Sequence, residues 1–227
     1  MAQVLKEEVR QRITSAALRC FARKGVVATT MSEIAAQAEV AVANLYRYFA
    51  SKDELYSAVV TDALVERFEQ LLTQSAHAHA FIADQRDQRD QRETSAPREL
   101  LEFWLHHRLV VVILLEHAEG TPHERFAQRF VDQLVAASID EIRRRHPEAR
   151  LLREERLVLA QIFDNTRRMI ATILRSARSD REARAAITTF RSYQIAGLAG
   201  FVAHICARGE SDPGERAPPS ANGHGSA

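Results

Sequence analysis

The sequence predicts an all-α protein, and three observations carry that reading. The first is punctuation. Of eight glycines and six prolines, four glycines and three prolines crowd into residues 209–227. The rest of the chain holds only Gly25, Gly120, Gly197, Gly200, Pro97, Pro122 and Pro147, most of which read as helix ends rather than as the frequent turns of a β protein. The second is periodicity, because apolar residues recur at helical spacing along most of the chain. The third is the stretch TMSEIAAQAEVAVANLYRYFASKDEL, residues 30–55. It reads as two short helices joined by a tight turn and followed at once by another.

Composition bounds the class. The 227 residues suffice for one large or two modest domains with a proper core. A hydrophobic share of 46% is ordinary for a globular chain. The densest apolar run, Leu109 to Leu115, is too short to span a bilayer, and the charged start MAQVLKEEVRQR lacks an apolar signal core. The expectation is a soluble, cytoplasmic protein. Cys20 and Cys206 lie in separate predicted helices, have no metal or redox spacing, and read as small buried hydrophobes. Charge is close to balanced overall but uneven. Residues 1–52 carry eight Lys or Arg against four Asp or Glu, leaving 23 against 26 for the remainder. A basic head on a slightly acidic body suits a head that binds phosphates.

The first predicted helix spans about Val4 to Lys24, with Val9, Ile13, Ala17 and Phe21 inward and Gly25 as its stop. Thr30 then opens a short helix, with Glu33 at capping-box spacing; Ile34, Ala35 and Ala38 share its inner face. The next short helix turns Leu45 and Phe49 inward and leaves Asn44, Tyr46, Arg47 and Tyr48 for other faces. Ser51 caps one long helix over about Lys52–Ala80, with Leu55, Val59, Leu64, Phe68 and Leu71 buried. The threefold DQR repeat at 84–92 cannot keep one face on a 3.6-residue helix, and it reads as a solvated loop or helix extension. Pro97 opens a helix over about Arg98–His117, apolar nearly all round from Leu109 to Leu115 and therefore central. His107 falls in its apolar stripe, either as a core histidine or as a ligand contact. Helices over about Pro122–Arg145, with Phe126, Phe130, Leu134 and Ile142 inward, Arg153–Ala177 and Arg181–Arg208 follow.

The last helix has two stripes. Ile187, Phe190, Gln194, Leu198, Phe201 and Ile205 form one. Thr189, Tyr193, Ala196, Gly200, Ala203 and Ala207 form the other, mostly small. A helix with two faces to bury calls for a partner outside its own domain, and the simplest is the same helix of a second subunit. Residues 209–227 have little apolar content beyond alanine and read as a disordered tail. The predicted organisation is a helical head with the two short helices at 1–52, a larger helical domain at 53–208 with the dimerisation stripe on its last helix, and the tail at 209–227.

Residues 13–55 resemble the DNA-binding domain of the tetracycline-repressor (TetR) family of bacterial transcription regulators. The matching run is I-x-x-A-A-x-x-x-F-x-x-x-G from Ile13 to Gly25, T-T-x-x-x-I-A from Thr29 to Ala35, and L-Y-x-Y-F-x-S-K-x-x-L from Leu45 to Leu55. The chain departs from the family pattern in two places. Glu39 stands where the turn usually has glycine, which predicts mild backbone strain. Ala41, Val42 and Ala43 stand where the recognition helix usually opens with a hydroxyl cap and a glycine-containing pair. That predicts a helix without a side-chain cap, whose first residues meet thymine methyls rather than hydrogen-bonding bases.

The resemblance implies a DNA-binding set of Thr30, Met31, Ser32, Val42, Ala43, Asn44, Tyr46, Arg47, Tyr48 and Lys52. The residues at the start of the first short helix meet the phosphate backbone, Val42 to Asn44 approach base edges, and Tyr46, Tyr48 and Lys52 lie on phosphates and the groove wall. It also implies a homodimer on a palindromic double-stranded operator, nucleoid-associated when bound, and a small-molecule effector in the larger domain. Phe103, Trp104, His107, Phe126, Phe163, Asn165 and Arg167 are the pocket candidates, apolar or aromatic with a few polar groups. Thr189, Tyr193, Ala196, Gly200, Ala203 and Ala207 are the interface candidates.

No cofactor or metal is expected. There is no phosphate-cradling glycine loop, no HExxH, no His pair at i, i+4 and no nucleophile elbow, so enzymatic activity has no support. The first reading is a ligand-responsive repressor, the second a ligand-independent DNA-bound scaffold that recruits a protein partner, and the third a monomeric helical binding module or enzyme, which a mass measurement in solution would set apart.

Overall fold

The computed structural model describes residues 2–78 and 95–211, and the regular elements among them are all helical. α1 (Ala2–Lys24), α2 (Met31–Gln37) and α3 (Val42–Tyr46) make the head, and α4 (Lys52–Val59) leads out of it. The body comprises α5 (Asp62–Ala78), α6 (Ser95–His106), α7 (Arg108–Glu116), α8 (Phe126–Arg145), α9 (Arg153–Ser176) and α10 (Asp180–Ser211). None of the described helices is long and apolar enough to cross a membrane. The DQR repeat lies outside the described residues, as does most of the predicted tail; α10 continues three residues past Arg208.

α1 carries Ile13, Ala17 and Phe21 fully buried and Val9 partly so. It stops at Gly25, whose φ of 88° is open to glycine at little cost, and whose N–H still reaches the Phe21 carbonyl at 2.9 Å. The adjacent alanines Ala16 and Ala17, also buried, let α2 and α4 lie close to α1. Complete burial of Ile13 or Phe21 is worth about 1.5–3 kcal/mol each, so α1 is the structural centre of the head.

Two helices predicted as continuous are broken. The stretch after Ser51 divides at Val60 and Thr61. The Thr61 hydroxyl accepts the Leu64 N–H at 3.4 Å, and Asp62 occupies the first turn of α5. Threonine followed by aspartate is an N-terminal signal, overridden in the sequence reading by an apolar period that runs unbroken across it. Leu55, Val59, Phe68 and Leu71 are buried as predicted, and Leu64 partly. The second break is at His107 (φ −109°, ψ 35°), between α6 and α7. Immediately beyond it, the Arg108 guanidinium donates to the carbonyls of Leu174 and Ala177 at the end of α9, 2.6 Å each from one nitrogen. A tertiary anchor of that kind leaves no trace in periodicity. α8 starts at Phe126 rather than near Pro122, because 119–125 form successive turns.

α7 is the enclosed core helix, with Val110 to Leu115 all buried. Phe68 of α5 gathers the other large rings, its centroid lying 5.5 Å from Phe103, 6.3 Å from Trp104, 4.9 Å from Phe126 and 6.3 Å from Phe130. On α10, Ile187, Gln194, Leu198 and Ile205 are buried, with Phe190 and Phe201 half-buried. Gln194 donates to Thr166 Oγ1 of α9 at 2.6 Å, a buried polar group with its partner supplied. All six residues of the second stripe are exposed on the single chain.

Head and body share one apolar core. Polar contacts reinforce the seam. Tyr56 of α4 is buried, and its hydroxyl lies 3.0 Å from His123 Nδ1 and accepts from Thr121 at 3.3 Å. His117 packs beside Gly25 at the end of α1, and Gly120 (φ 68°) lies against Val27. The 117–125 turn region therefore rests on the head at two places.

Candidate nucleic-acid interface

The head presents α2 and α3 in sequence. Thr30 caps α2 with a complete capping box: its hydroxyl accepts the Glu33 N–H at 3.3 Å, and its own N–H donates to Glu33 Oε2 at 2.9 Å. Lys24 lies 2.5 Å from the same carboxyl group. The lysine, then the Thr30 N–H and hydroxyl, hold the Glu33 carboxyl down at about 2. Glu33 is therefore ionised at any pH at which the protein would meet DNA, and its stabilising contribution is lost only as pH falls from about 4.5 through 2.

The turn after α2 is a Schellman motif. The Val40 N–H bonds the Ala35 carbonyl at 3.0 Å, and the Glu39 N–H bonds the Ala36 carbonyl at 3.1 Å. Glu39 occupies the left-handed position at φ 54°, the strained non-glycine residue that its place in the sequence predicts. Arg12 of α1 offsets that strain by donating at 2.6 Å to the Ala38 carbonyl and at 2.7 Å to the Glu39 carbonyl. Sequence reasoning missed this role for Arg12. The partners lie 26 and 27 residues away, and no local pattern links them.

α3 begins at Val42 with Ala41 as an uncapped N-cap and spans five residues. Leu45 and Phe49 are buried beneath it. Val42, Ala43, Tyr46 and Arg47 are exposed, Tyr46 by half. Thr30 and Ser32 are exposed beside them. Four predicted residues are buried or half-buried instead. Met31 is buried at 8% exposure, so its side chain belongs to the core and only its backbone lies at the helix start. Asn44 and Tyr48 are half-buried, with Tyr48 packed on the apolar cluster. Lys52, also half-buried, donates to the carbonyls of Val27 at 3.2 Å and Thr29 at 3.0 Å. It ties the approach to α2 onto the start of α4 and brings its charge beside the α2 N-terminus.

In the body, Phe103, Trp104 and Phe126 converge on Phe68, and His107 joins them with its ring 4.7 Å from Phe103. His107 stands at the break before α7 rather than inside a helix stripe. Burial, and then the neighbouring His106, lower its pKa from the ordinary histidine value. Phe163 is fully buried on α9. Asn165 is exposed and faces away from the interior, a correction to its place among the pocket candidates. Arg167 is committed to the Leu115 carbonyl and to Asp164. A cleft of about 280 Å³ opens between α5 and α6 over Arg67, Leu71, Arg98, Glu99, Glu102 and Phe103.

A three-helix head with a capped α2, a tight turn and a short exposed α3, mounted on a larger helical body, defines a helix-turn-helix transcriptional regulator. Residues 13–59 match the profile described as bacterial regulatory proteins, tetR family. The chain is 31% identical over 177 residues to the HTH-type transcriptional repressor Rv3405c of Mycobacterium tuberculosis, covering 76% of this chain and 78% of that protein. It is 36% identical over 66 residues to the HTH-type transcriptional regulator HbdR of an Aromatoleum species, covering 29% and 28% of the two chains. Among solved structures, a tetR-family regulator from Streptomyces coelicolor aligns with 93% of this chain and 92% of its own at 19% identity and a TM-score of 0.36. The chain belongs to the tetR family of bacterial transcription regulators, and it is a DNA-binding regulator rather than an enzyme.

Proposed function

We propose that this regulator is a homodimeric repressor that binds a palindromic operator through α2 and α3 and is released by a small molecule held in the body. The observation that carries the DNA reading is the exposed row Val42, Ala43, Tyr46 and Arg47 on α3, set beside the capped start of α2. Val42 and Ala43 offer methyl groups to thymine, Tyr46 and Arg47 reach the phosphates, and the free N–H groups of α2 face an anion. Repression is supported by the Mycobacterium tuberculosis relative, which is named a transcriptional repressor. Dimerisation is supported by the exposed second stripe of α10, where Tyr193 is 74% exposed, and by exposed Leu157, Val158 and Met169 on α9. Apolar surface of this extent on neighbouring helices suits burial against a second copy. Ligand release is supported by the ring cluster around Phe68 and by the polar seam that joins the body to α4.

In vitro selection of random duplex DNA with the purified protein tests the reading. The expected product is an inverted repeat bound with a steep salt dependence, and Tyr46→Ala weakens binding without loss of helix content. Lys52→Ala lowers the salt slope by about one unit. Selection that returns a single unrepeated half-site, bound by a monomer, overturns the dimeric operator. A selected operator that no small molecule releases favours the ligand-independent scaffold instead.

A further inference from the structure

We propose that α3 reads its operator half-site through C5-methyl groups, with Val42 seated on the methyl of a thymine, so that 5-methylcytosine can stand in for thymine there and uracil cannot. The inference rests on the DNA-binding reading above and names the chemical feature of the base pair that carries specificity. Ala41, Val42 and Ala43 are all exposed, and none of their side chains has a polar atom. Asn44, the next side chain able to hydrogen-bond, is half-buried. Among the described side chains of the head, Val27, Val42 and Tyr46 are the large apolar ones left exposed, and two of the three lie on α3. Val42 is held outward. Leu45 at 0% and Phe49 at 1% exposure fix the opposite face of α3 on the head, and the N–H groups of Asn44 and Leu45 close on the Ala41 carbonyl at 2.9 and 3.0 Å.

The chemistry of the major groove selects the partner. Thymine presents O4, an acceptor, and a C5-methyl group; cytosine presents an N4 donor and a bare C5–H. Val42 and Ala43 can bond neither O4 nor N4, so the methyl is the one group there that rewards their contact. Tyr46 and Arg47 stand one helical turn further along, at i+4 from Val42 and Ala43, where they serve the phosphates. Exposed Thr30 and Ser32 at the start of α2, with Lys52 beside them, orient the head on the backbone. Excluding water from one methyl between Val42 and the base is worth about fourfold in affinity. That gain is apolar and releases no counterions, so it keeps its size as salt rises, while overall binding falls steeply.

Base analogues test the inference on the intact protein and the duplex recovered by selection. Each thymine of a half-site is replaced in turn by deoxyuridine, and by cytosine with and without a 5-methyl group, and affinity is read by fluorescence anisotropy at low and at high salt. At one or more positions thymine should exceed uracil, and 5-methylcytosine should exceed cytosine, by the same factor of about four at both salt concentrations. Val42→Ser, at an exposed position, removes both methyls of the side chain and should bring both ratios close to one while helix content is unchanged. Uracil tolerated at every thymine overturns the proposal. So does 5-methylcytosine that binds no better than cytosine, or a thymine preference that survives in Val42→Ser. A selected half-site without thymine overturns it as well. Each of these results leaves the DNA-binding reading standing. Failure of the protein to retain any duplex in selection overturns that reading itself, and the methyl readout with it.

Discussion

Single residues at the helix-turn-helix show how tertiary contacts license a locally unfavourable choice. A left-handed backbone at a non-glycine residue costs about 1–2 kcal/mol, and Glu39 adopts it at φ 54°. Arg12 braces the turn from α1 by donating to the Ala38 and Glu39 carbonyls. Glu39→Gly should therefore stabilise the protein by about 1 kcal/mol in urea unfolding, since the Glu39 side chain is exposed and its backbone alone meets Arg12. Arg12→Met should act in the opposite direction, and its cost should shrink when Glu39→Gly is also present. Independent, additive effects in that double-mutant cycle would show that Arg12 does not relieve the turn. The strain itself was legible in the sequence, because an acidic residue stands where a glycine suits the turn. The brace was not, because it depends on a guanidinium 26 residues away. Met31 and Lys52 teach the same lesson. Their places beside the α2 N-terminus were readable, but Met31 turns into the core, and Lys52 spends two of its donors on the Val27 and Thr29 carbonyls.

At the scale of elements, apolar periodicity located the helices and nearly all of their buried faces: Phe126, Phe130, Leu134 and Ile142 on α8, and Leu55, Val59, Phe68 and Leu71 on α4 and α5. It failed where two helices meet without changing phase. The α4–α5 break is set by Thr61 and Asp62, local polar chemistry that was present but outweighed in the reading. The α6–α7 break adjoins Arg108, which caps the carbonyl end of α9 from a distant element. That cap makes an unequal pair of predictions about two arginines. Arg108→Met leaves the part-buried Leu174 and Ala177 carbonyls without their donor and should cost about 2 kcal/mol in urea unfolding. Arg184→Met breaks a two-bond contact with Glu102, but both side chains are about half exposed, so water screens the loss and the cost should be clearly smaller than that of Arg108→Met. Equal costs would mean that the α9 carbonyls find other partners when Arg108 is gone.

For the whole molecule, the decisive surface is the outer stripe of α10. A Cβ added at Gly200 meets nothing within 4 Å on the single chain, and the neighbouring stripe residues Tyr193, Ala196 and Ala203 are exposed. A large side chain at Gly200 therefore has room in one protomer, so any harm it does must come through a second. The buried stripe, with Leu198 and Ile205 nearly inaccessible and Gln194 bonded to Thr166, keeps α10 on its own body regardless. Gly200→Trp should accordingly retain helix content and melt as one cooperative unit, and on the proposed homodimer it should run as a monomer by light scattering while the unaltered protein is expected to run as a dimer. Operator binding should fall with it by about 100-fold or more, because two linked heads convert the second half-site contact into an intramolecular step, and a monomer loses that gain. Exposed Leu157 and Met169 on α9 supply a second probe of the same assembly, and Met169→Asp should weaken the dimer in the same direction. A Gly200→Trp protein that stays dimeric and holds its operator at full affinity would place the interface away from the small-residue stripe of α10.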